Sequence, residues 1–279
     1  MLGETESQTP AETGVMSRTL EKGTPPMRRF VIGDIHGCSD ALAAVLREIA
    51  PQPDDELVFL GDYVDRGPDS RGVVDQLLDW GNRCRLVPLR GNHEIMLMGV
   101  AIGDLDPAGW FCAGGLATLE SYGGSLEKIP GAHLDFFARL LRYYETESDL
   151  FVHAGYLPDV PLAKLDEASC YWNHLTAQPP PPHCSGKRAF VGHTPQPDGK
   201  VADHGHLVCM DTYCFGGGYL SAMEIASGRV IQADRRGRIR RGLAEQALAK
   251  LLGWRNRWRD SVSGRTQRKP GVGPETRSR

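Results

Sequence analysis

The sequence predicts a layered α/β fold (α+β by some schemes), and three observations carry that reading. Short apolar runs rich in Val, Ile, Leu and Phe alternate with segments of helical period from Arg28 onward. Each of the first three runs stops at a glycine. A mainly helical middle is then followed by further strand-like runs. A β-α-β-α-β opening of this kind calls for parallel strands joined by right-handed crossovers.

The elements follow in order. The run 28–33 (RRFVIG) reads as a buried strand, and the helix near 39–50 repeats Leu42, Val45, Leu46 and Ile49 on one face. After a Pro/Asp loop comes strand 56–61 (ELVFLG), then a helix near 70–80 and strand 85–91 (RLVPLRG). Residues 93–147 look mainly helical, with 136–144 (FFARLLRYY) as the clearest amphipathic helix. Short strands are predicted at 149–155, 188–193, 206–211, 219–225 and 229–233, and the last three sit close enough to suggest an antiparallel or mixed second sheet. The run 178–183 (QPPPPH) reads as a polyproline-II-like loop, and no internal repeat is visible.

Bulk properties bound the class. With 279 residues, 41% hydrophobic and 24% charged, the chain can bury a sizeable core, and no apolar run approaches the roughly 18–20 residues of a membrane span. The first 27 residues are rich in Thr, Glu, Ser, Gly and Pro and are expected to be disordered; they lack the apolar core of a secretory signal, and Met16 or Met27 could serve as the start. Seven scattered cysteines without a C-x-x-C pair argue against a disulfide framework and a structural zinc cage, and fit a reducing cytoplasmic setting. The net charge of −3 conceals an acidic body and a basic end: residues 235–279 hold 14 Lys/Arg against 3 Asp/Glu. That end reads as a peripheral helix and tail, with contact to an anionic surface or nucleic acid as the sharper alternative.

The chemistry concentrates at strand ends. The first strand runs into Asp34 and His36 (GDIHG), the second into Asp62 (GDYVDRG), the third into Asn92 and His93 (GNHE). Later strands end at His153 (VHAG) and His193 (VGH). Singly, each could be a turn residue bonding to nearby backbone. Jointly, five strands deliver Asp, His, Asp, Asn, His and His to the edge where open α/β sheets bind ligands. Imidazole and carboxylate without thiolate suit a pair of divalent ions, with Mn expected and Fe, Zn, Co or Ni as options, and Asp62 placed centrally to bridge them. Arg66 offers a guanidinium fork to phosphate. His93, next to Asn92, should reach the same cleft, where it could protonate a leaving oxygen with Asp65 fixing its tautomer.

GDIHG, GDYVDRG, GNHE, VHAG and VGHTP, in this order and spacing, resemble the PPP superfamily of metallophosphatases, and more nearly its prokaryotic and phage-type serine/threonine protein phosphatases (calcineurin-like metallophosphoesterases). The resemblance covers residues 28–234. It implies a four-layer metallophosphoesterase fold, a central β-sandwich of mixed sheets flanked by helices. It implies further that Asp34, His36 and Asp62 hold one metal ion, and Asp62, Asn92, His153 and His193 the other. His93, Asp65 and Arg66 would be catalytic, and Arg66, Asn92 and His174 would meet the substrate.

One departure stands out. Where such proteins carry W-x-R, this chain has Trp172-Asn173-His174, so His174 takes the place of a second phosphate-binding arginine. Lys187 or Arg188 could substitute from elsewhere. His174, His183, His204 and His206 otherwise read as solvated loop histidines, and CFGGGY (214–219) as a turn near the cleft. The function expected on these grounds is hydrolysis of phosphomonoesters by a metal-activated hydroxide, with phosphoserine or phosphothreonine on a protein, or a small phosphate ester, as substrate. The alternatives are a symmetrical dinucleoside tetraphosphate hydrolase and a metal-binding pseudo-phosphatase.

Overall fold

The structure is a computed structural model that describes residues 27–241. The expected disorder of the N-terminal segment and the expected helix and tail beyond Arg241 lie outside the described residues. Among the described residues no helix is long and apolar enough to cross a membrane.

Two five-stranded mixed sheets face one another. In the first, β1 (Arg29–Ile32), β2 (Glu56–Phe59) and β3 (Arg85–Pro88) run parallel, with Val31 opposite Val58 and Val58 opposite Val87. Helices α1 (Ser39–Ile49) and α2 (Ser70–Gly81) make the crossovers. The second sheet has β4 (Tyr143–Glu145) at one edge, then β5 (Asp149–Val152), β6 (Arg188–Val191) and β8 (Leu207–Cys209) in parallel, and β7 (Ala202–Asp203) at the other edge. Finally β9 (Leu220–Glu224) and β10 (Arg229–Ala233) return to the first sheet, β9 pairing antiparallel with β1.

Alternation sorts the strand side chains. Val31, Val58, Leu60 and Val87 point between the sheets and meet Phe151, Phe190, Val208 and Met210. Phe30, Ile32, Leu57 and Phe59 point outward to Leu42, Val45, Leu46 and Val74 of α1 and α2. Leu150, Val152, Ala189 and Val191 point outward to a cluster with Leu162, Leu165 and Tyr171. Both faces of each sheet are covered, so the central strands are almost continuously apolar. Burial of the Leu42, Val45, Leu46 and Ile49 stripe confirms the helical period of α1, whose end is fixed by Ala50 in a left-handed conformation.

Three expectations fail. The middle is helical as read, through α3 (Asn92–Ala101), α4 (Pro107–Cys112), α5 (Gly115–Ser121) and α6 (Gly131–Ala138), but the helix at 136–144 stops at Ala138 and the segment ends as strand β4. Tyr144 stacks on Phe151 at 5.7 Å, and its hydroxyl donates to Glu56 Oε2 at 3.1 Å. Aromatic cross-strand packing outweighs a helical period that is only two turns long. Secondly, the last three strands do not share a sheet: β8 stays beside β6, whereas β9 and β10 cross to β1. Thirdly, His183 is buried, its Nε2 donating to Val160 O at 3.0 Å, and His206 is half-buried and donates to Pro180 O at 2.8 Å. His174 and His204 are exposed, as read.

Candidate metal centre

The loops after β1, β2, β5 and β6 open at one edge of the sandwich together with the start of α3 after β3, and they carry the strand-end residues singled out above. Their backbone is strained. His36, Asp62, Asp65, Arg66 and His193 adopt left-handed φ values of 46°, 52°, 71°, 66° and 60°. Each costs on the order of 1–2 kcal/mol for a residue with a Cβ, and such strain gathers at functional sites. Glu94 offsets it from beneath. Fully buried, its carboxylate accepts from the backbone N–H groups of Gly91 (2.9 Å), Asp62 (3.0 Å), Tyr63 (2.8 Å) and Val64 (3.3 Å). Two glycines complete the fit. A Cβ on Gly91 would lie 2.1 Å from Asp62 Oδ1, and one on Gly192 would lie 2.0 Å from Asp34 Oδ1.

Asp62 stands at the middle. One group of ligand atoms joins it to His36 and His93, the other to His153 and His193, each group within 4.8 Å. Asp62 Oδ2 is 3.4 Å from His36 Nε2, and Oδ1 is 3.4 Å from His153 Nε2. Asn92 joins the second group, with Oδ1 at 3.0 Å from His153 Nε2 and 3.1 Å from His193 Nδ1. Asp34 does not join the first group, where His93 takes the third place. Its Oδ2 accepts from His193 N–H at 2.9 Å, and its Oδ1 has no partner although the residue is 3% exposed.

Backbone carbonyls set the tautomers. His36 Nδ1 donates to Val64 O (2.9 Å), His153 Nδ1 to Leu60 O (2.7 Å) and His193 Nε2 to Trp172 O (3.1 Å). In each ring the other nitrogen faces the cluster with its lone pair. Burial pushes His36 and His153 well below the usual imidazole range; burial and the neighbouring His174 bring His193 down to about 4. The same burial raises Asp34 and Asp62 well above the carboxylate range, with Asp211 and Glu94 respectively as the next contributors.

This donor set fits divalent cations. Neutral imidazole nitrogens, an amide oxygen and carboxylates converge with no proton between several of them, and Asp34 Oδ1 and Asp211 Oδ2 are buried without partners. Ions there would satisfy what the protein leaves unsatisfied.

Beside the cluster, His93 Nδ1 donates to Asp65 Oδ2 at 2.7 Å, which also accepts from Trp110 Nε1 at 2.8 Å. Thr118 donates to Asp65 Oδ1 at 2.7 Å. Burial is the largest effect on Asp65 and raises it to about 7, against the Thr118 and Trp110 donors and the Arg66 charge, which hold it down. His93 Nε2 is left facing Asp62 Oδ2 at 3.9 Å. Arg66, exposed at the rim, donates through Nη1 to His36 Nε2 at 3.1 Å and rests its guanidinium 4.6 Å from the Phe215 ring.

His174 stacks on His193 at 4.4 Å, so an imidazole lies where a second guanidinium was sought. Lys187 and Arg188 do not replace it. They sit at the start of β6, the end away from His193, paired with Glu145 at 2.6 Å and Asp203 at 2.8 Å. Several residues here escaped the sequence reading. Asp211 follows β8 and obeys the same strand-end rule that found the others; Glu94 lay inside GNHE. Nothing local marks Trp110 or Thr118. Phe215, in the expected turn near the cleft, touches both Arg66 and His36.

A two-sheet α/β sandwich with imidazoles and carboxylates converging at its strand ends defines the metallophosphoesterase class. The family model for calcineurin-like phosphoesterases matches residues 27–218, and the chain belongs to that family. A "Bis(5'-nucleosyl)-tetraphosphatase, symmetrical" from Acidovorax sp. (strain JS42) is 37% identical over 134 residues, covering 47% of this chain and 45% of that protein. One of the same name from Salmonella paratyphi A is 42% identical over 78 residues, 28% of this chain and 27% of that one. The chain thus matches less than half the length of these curated relatives. A crystallised protein provisionally described as a diadenosine tetraphosphatase shares the fold, with a TM-score of 0.58 at 22% identity over 77% of this chain and 95% of that one. A cold-active protein tyrosine phosphatase does so at TM-score 0.52 and 18% identity, over 77% and 78%.

Proposed function

We propose that the protein hydrolyses the phosphoanhydride of a dinucleoside polyphosphate, cleaving a tetraphosphate symmetrically into two nucleoside diphosphates. The observation that carries this reading is the name shared by relatives 37% and 42% identical, together with a donor set that fits two divalent ions. It favours the alternative given above, a symmetrical dinucleoside tetraphosphate, over the phosphorylated protein expected first.

Asp62, Asn92, His153 and His193 would hold one ion, and His36, Asp62 and Asp34 the other, Asp34 turning its unpartnered Oδ1 to the task. Bound ions acidify water and neutralise phosphate charge. The residues do the rest. Arg66 holds the oxygens of the phosphoryl group in line for attack. Water adds to phosphorus and gives up a proton as the bridging P–O bond breaks; His93, which burial holds neutral well below the usual imidazole range, takes up that proton at Nε2 and passes it to the departing phosphate oxygen. Asp65 keeps Nδ1–H engaged, which leaves Nε2 as the working nitrogen.

The test is one assay with manganese and three substrates: diadenosine tetraphosphate, a phosphopeptide and para-nitrophenyl phosphate. The expected result is a kcat/KM for the dinucleotide at least about 100-fold above the others, the difference that binding of the second half supplies, with ADP as the only nucleotide product. Preference for the phosphopeptide, or release of ATP and AMP, would overturn it.

A further inference from the structure

A second concave surface lies next to the cluster and takes no part in it. It is a cavity of about 580 Å³ lined by Phe215, the glycines 216–218, Arg235, Arg236, Arg238 and Asp234. Its charge is positive. Asp234 is engaged by Arg238 at 2.6 Å, while Arg235 and Arg236 are exposed and, among the described residues, their guanidinium groups have no hydrogen-bond or ion-pair partner. Phe215 is the shared wall. Its ring lies 4.6 Å from the Arg66 guanidinium and 5.0 Å from the His36 ring, and it also lines the cavity.

A phosphomonoester would end at Arg66 and have no use for such a neighbour. A ligand that continues past Arg66 needs further negative charge and a flat apolar group. Unpaired guanidinium groups recognise phosphate oxygens, and an aromatic wall accepts a nucleobase of any identity. We infer that this cavity is the distal subsite of a dinucleoside polyphosphate, with Arg235 and Arg236 holding the phosphates of the far half and Phe215 flanking its base. The inference rests on the function proposed above and specifies how the long substrate is told from the short one. Three glycines in succession keep the floor free of side chains, so that the chain of phosphates can pass close to the backbone.

The experiment compares the wild-type protein with the double variant R235A/R236A. The ratio of kcat/KM for diadenosine tetraphosphate to that for para-nitrophenyl phosphate should fall about tenfold, the scale of two solvent-screened charge contacts. The loss should lie in KM, and R235K/R236K should restore most of it. A ratio changed by less than twofold, or a parallel loss on both substrates, would overturn the subsite. Should the wild type not hydrolyse the dinucleotide, the function proposed above fails separately. Calorimetric titration of wild type and variant with inorganic tripolyphosphate then reads the cavity through the difference between the two proteins, since Arg66 is common to both: weaker binding by the variant upholds an anionic subsite, and equal binding overturns it.

Discussion

Asn92 Oδ1 lies 3.0 Å from His153 Nε2 and 3.1 Å from His193 Nδ1, and no hydrogen is available to any of these pairs. The opposite ring nitrogens already donate to Leu60 O and Trp172 O, and both imidazoles are held neutral by burial. Three lone pairs aimed at one point are repulsive by themselves and attractive around a cation. Asn92→Ala should therefore weaken manganese binding at one of two positions by at least about 10–100-fold, the range seen when a metal site loses an orienting group. Thermal stability of the metal-free protein should not fall, since a repulsion is relieved. Calorimetric titration and a melting curve check both. Two unchanged sites would contradict the assignment.

The roles proposed for His93 and Asp65 can be tested apart from metal binding. His93→Asn should cut kcat by roughly 10²–10⁴ on a substrate with a poor leaving group. The deficit should shrink on para-nitrophenyl phosphate, whose leaving group needs little protonation, while manganese stoichiometry stays at two. A uniform loss on both substrates would assign His93 to another task, such as holding an ion in the place it shares with His36 and Asp62.

Much of this centre was legible because strand ends in an α/β sandwich are local in sequence. GDIHG, GDYVDRG and GNHE each state a strand, a tight turn and a polar side chain within a few residues, and the turns they form carry the left-handed residues His36, Asp62, Asp65 and Arg66. What escaped depends on long-range pairing. Trp110 and Thr118 reach Asp65 from 45 and 53 positions away, and no local pattern announces that. The partition of β8, β9 and β10 between two sheets was illegible for the same reason. Each has the alternation of a buried strand, and only the crossing at Met210–Tyr219 decides which neighbour it meets. Tyr143–Glu145 misled in another way, since a two-turn helical period and an aromatic edge strand look alike in a short window.

Metal binding should release protons, and their source follows from the direction of each shift. Asp34 and Asp62 are raised by burial, and Asp211 sits at about 6, so carboxyls retain part of their protons near neutrality. His36, His153 and His193 are lowered and already neutral there, so they contribute none. A cation needs the carboxylates ionised. Manganese affinity should therefore rise with pH from about 6 upward, with net proton release visible in titrations run in buffers of different ionisation enthalpy. Protons released with the large ionisation enthalpy of imidazole, rather than the near-zero enthalpy of a carboxyl, would place them on histidine instead.

Glu94 braces the turn that carries Asp62 through backbone hydrogen bonds. Its two oxygens divide four backbone donors between the turn that carries Asp62 and the start of α3 at Gly91. Glu94→Gln preserves shape but turns an amide NH2 toward one pair of those donors, leaving buried N–H groups unsatisfied at about 1–3 kcal/mol each. For a domain of this size the melting temperature should drop by about 5–10 °C. Because the left-handed turn at Asp62 loses its brace, the manganese concentration giving half-maximal activity should rise as well, with kcat at saturating manganese affected less. Glu94→Ala would open a void in addition and should melt lower still. An E94Q protein that melts like the wild type would mean that the turn holds its own strain, with the loop after β2 rather than Glu94 setting the position of Asp62.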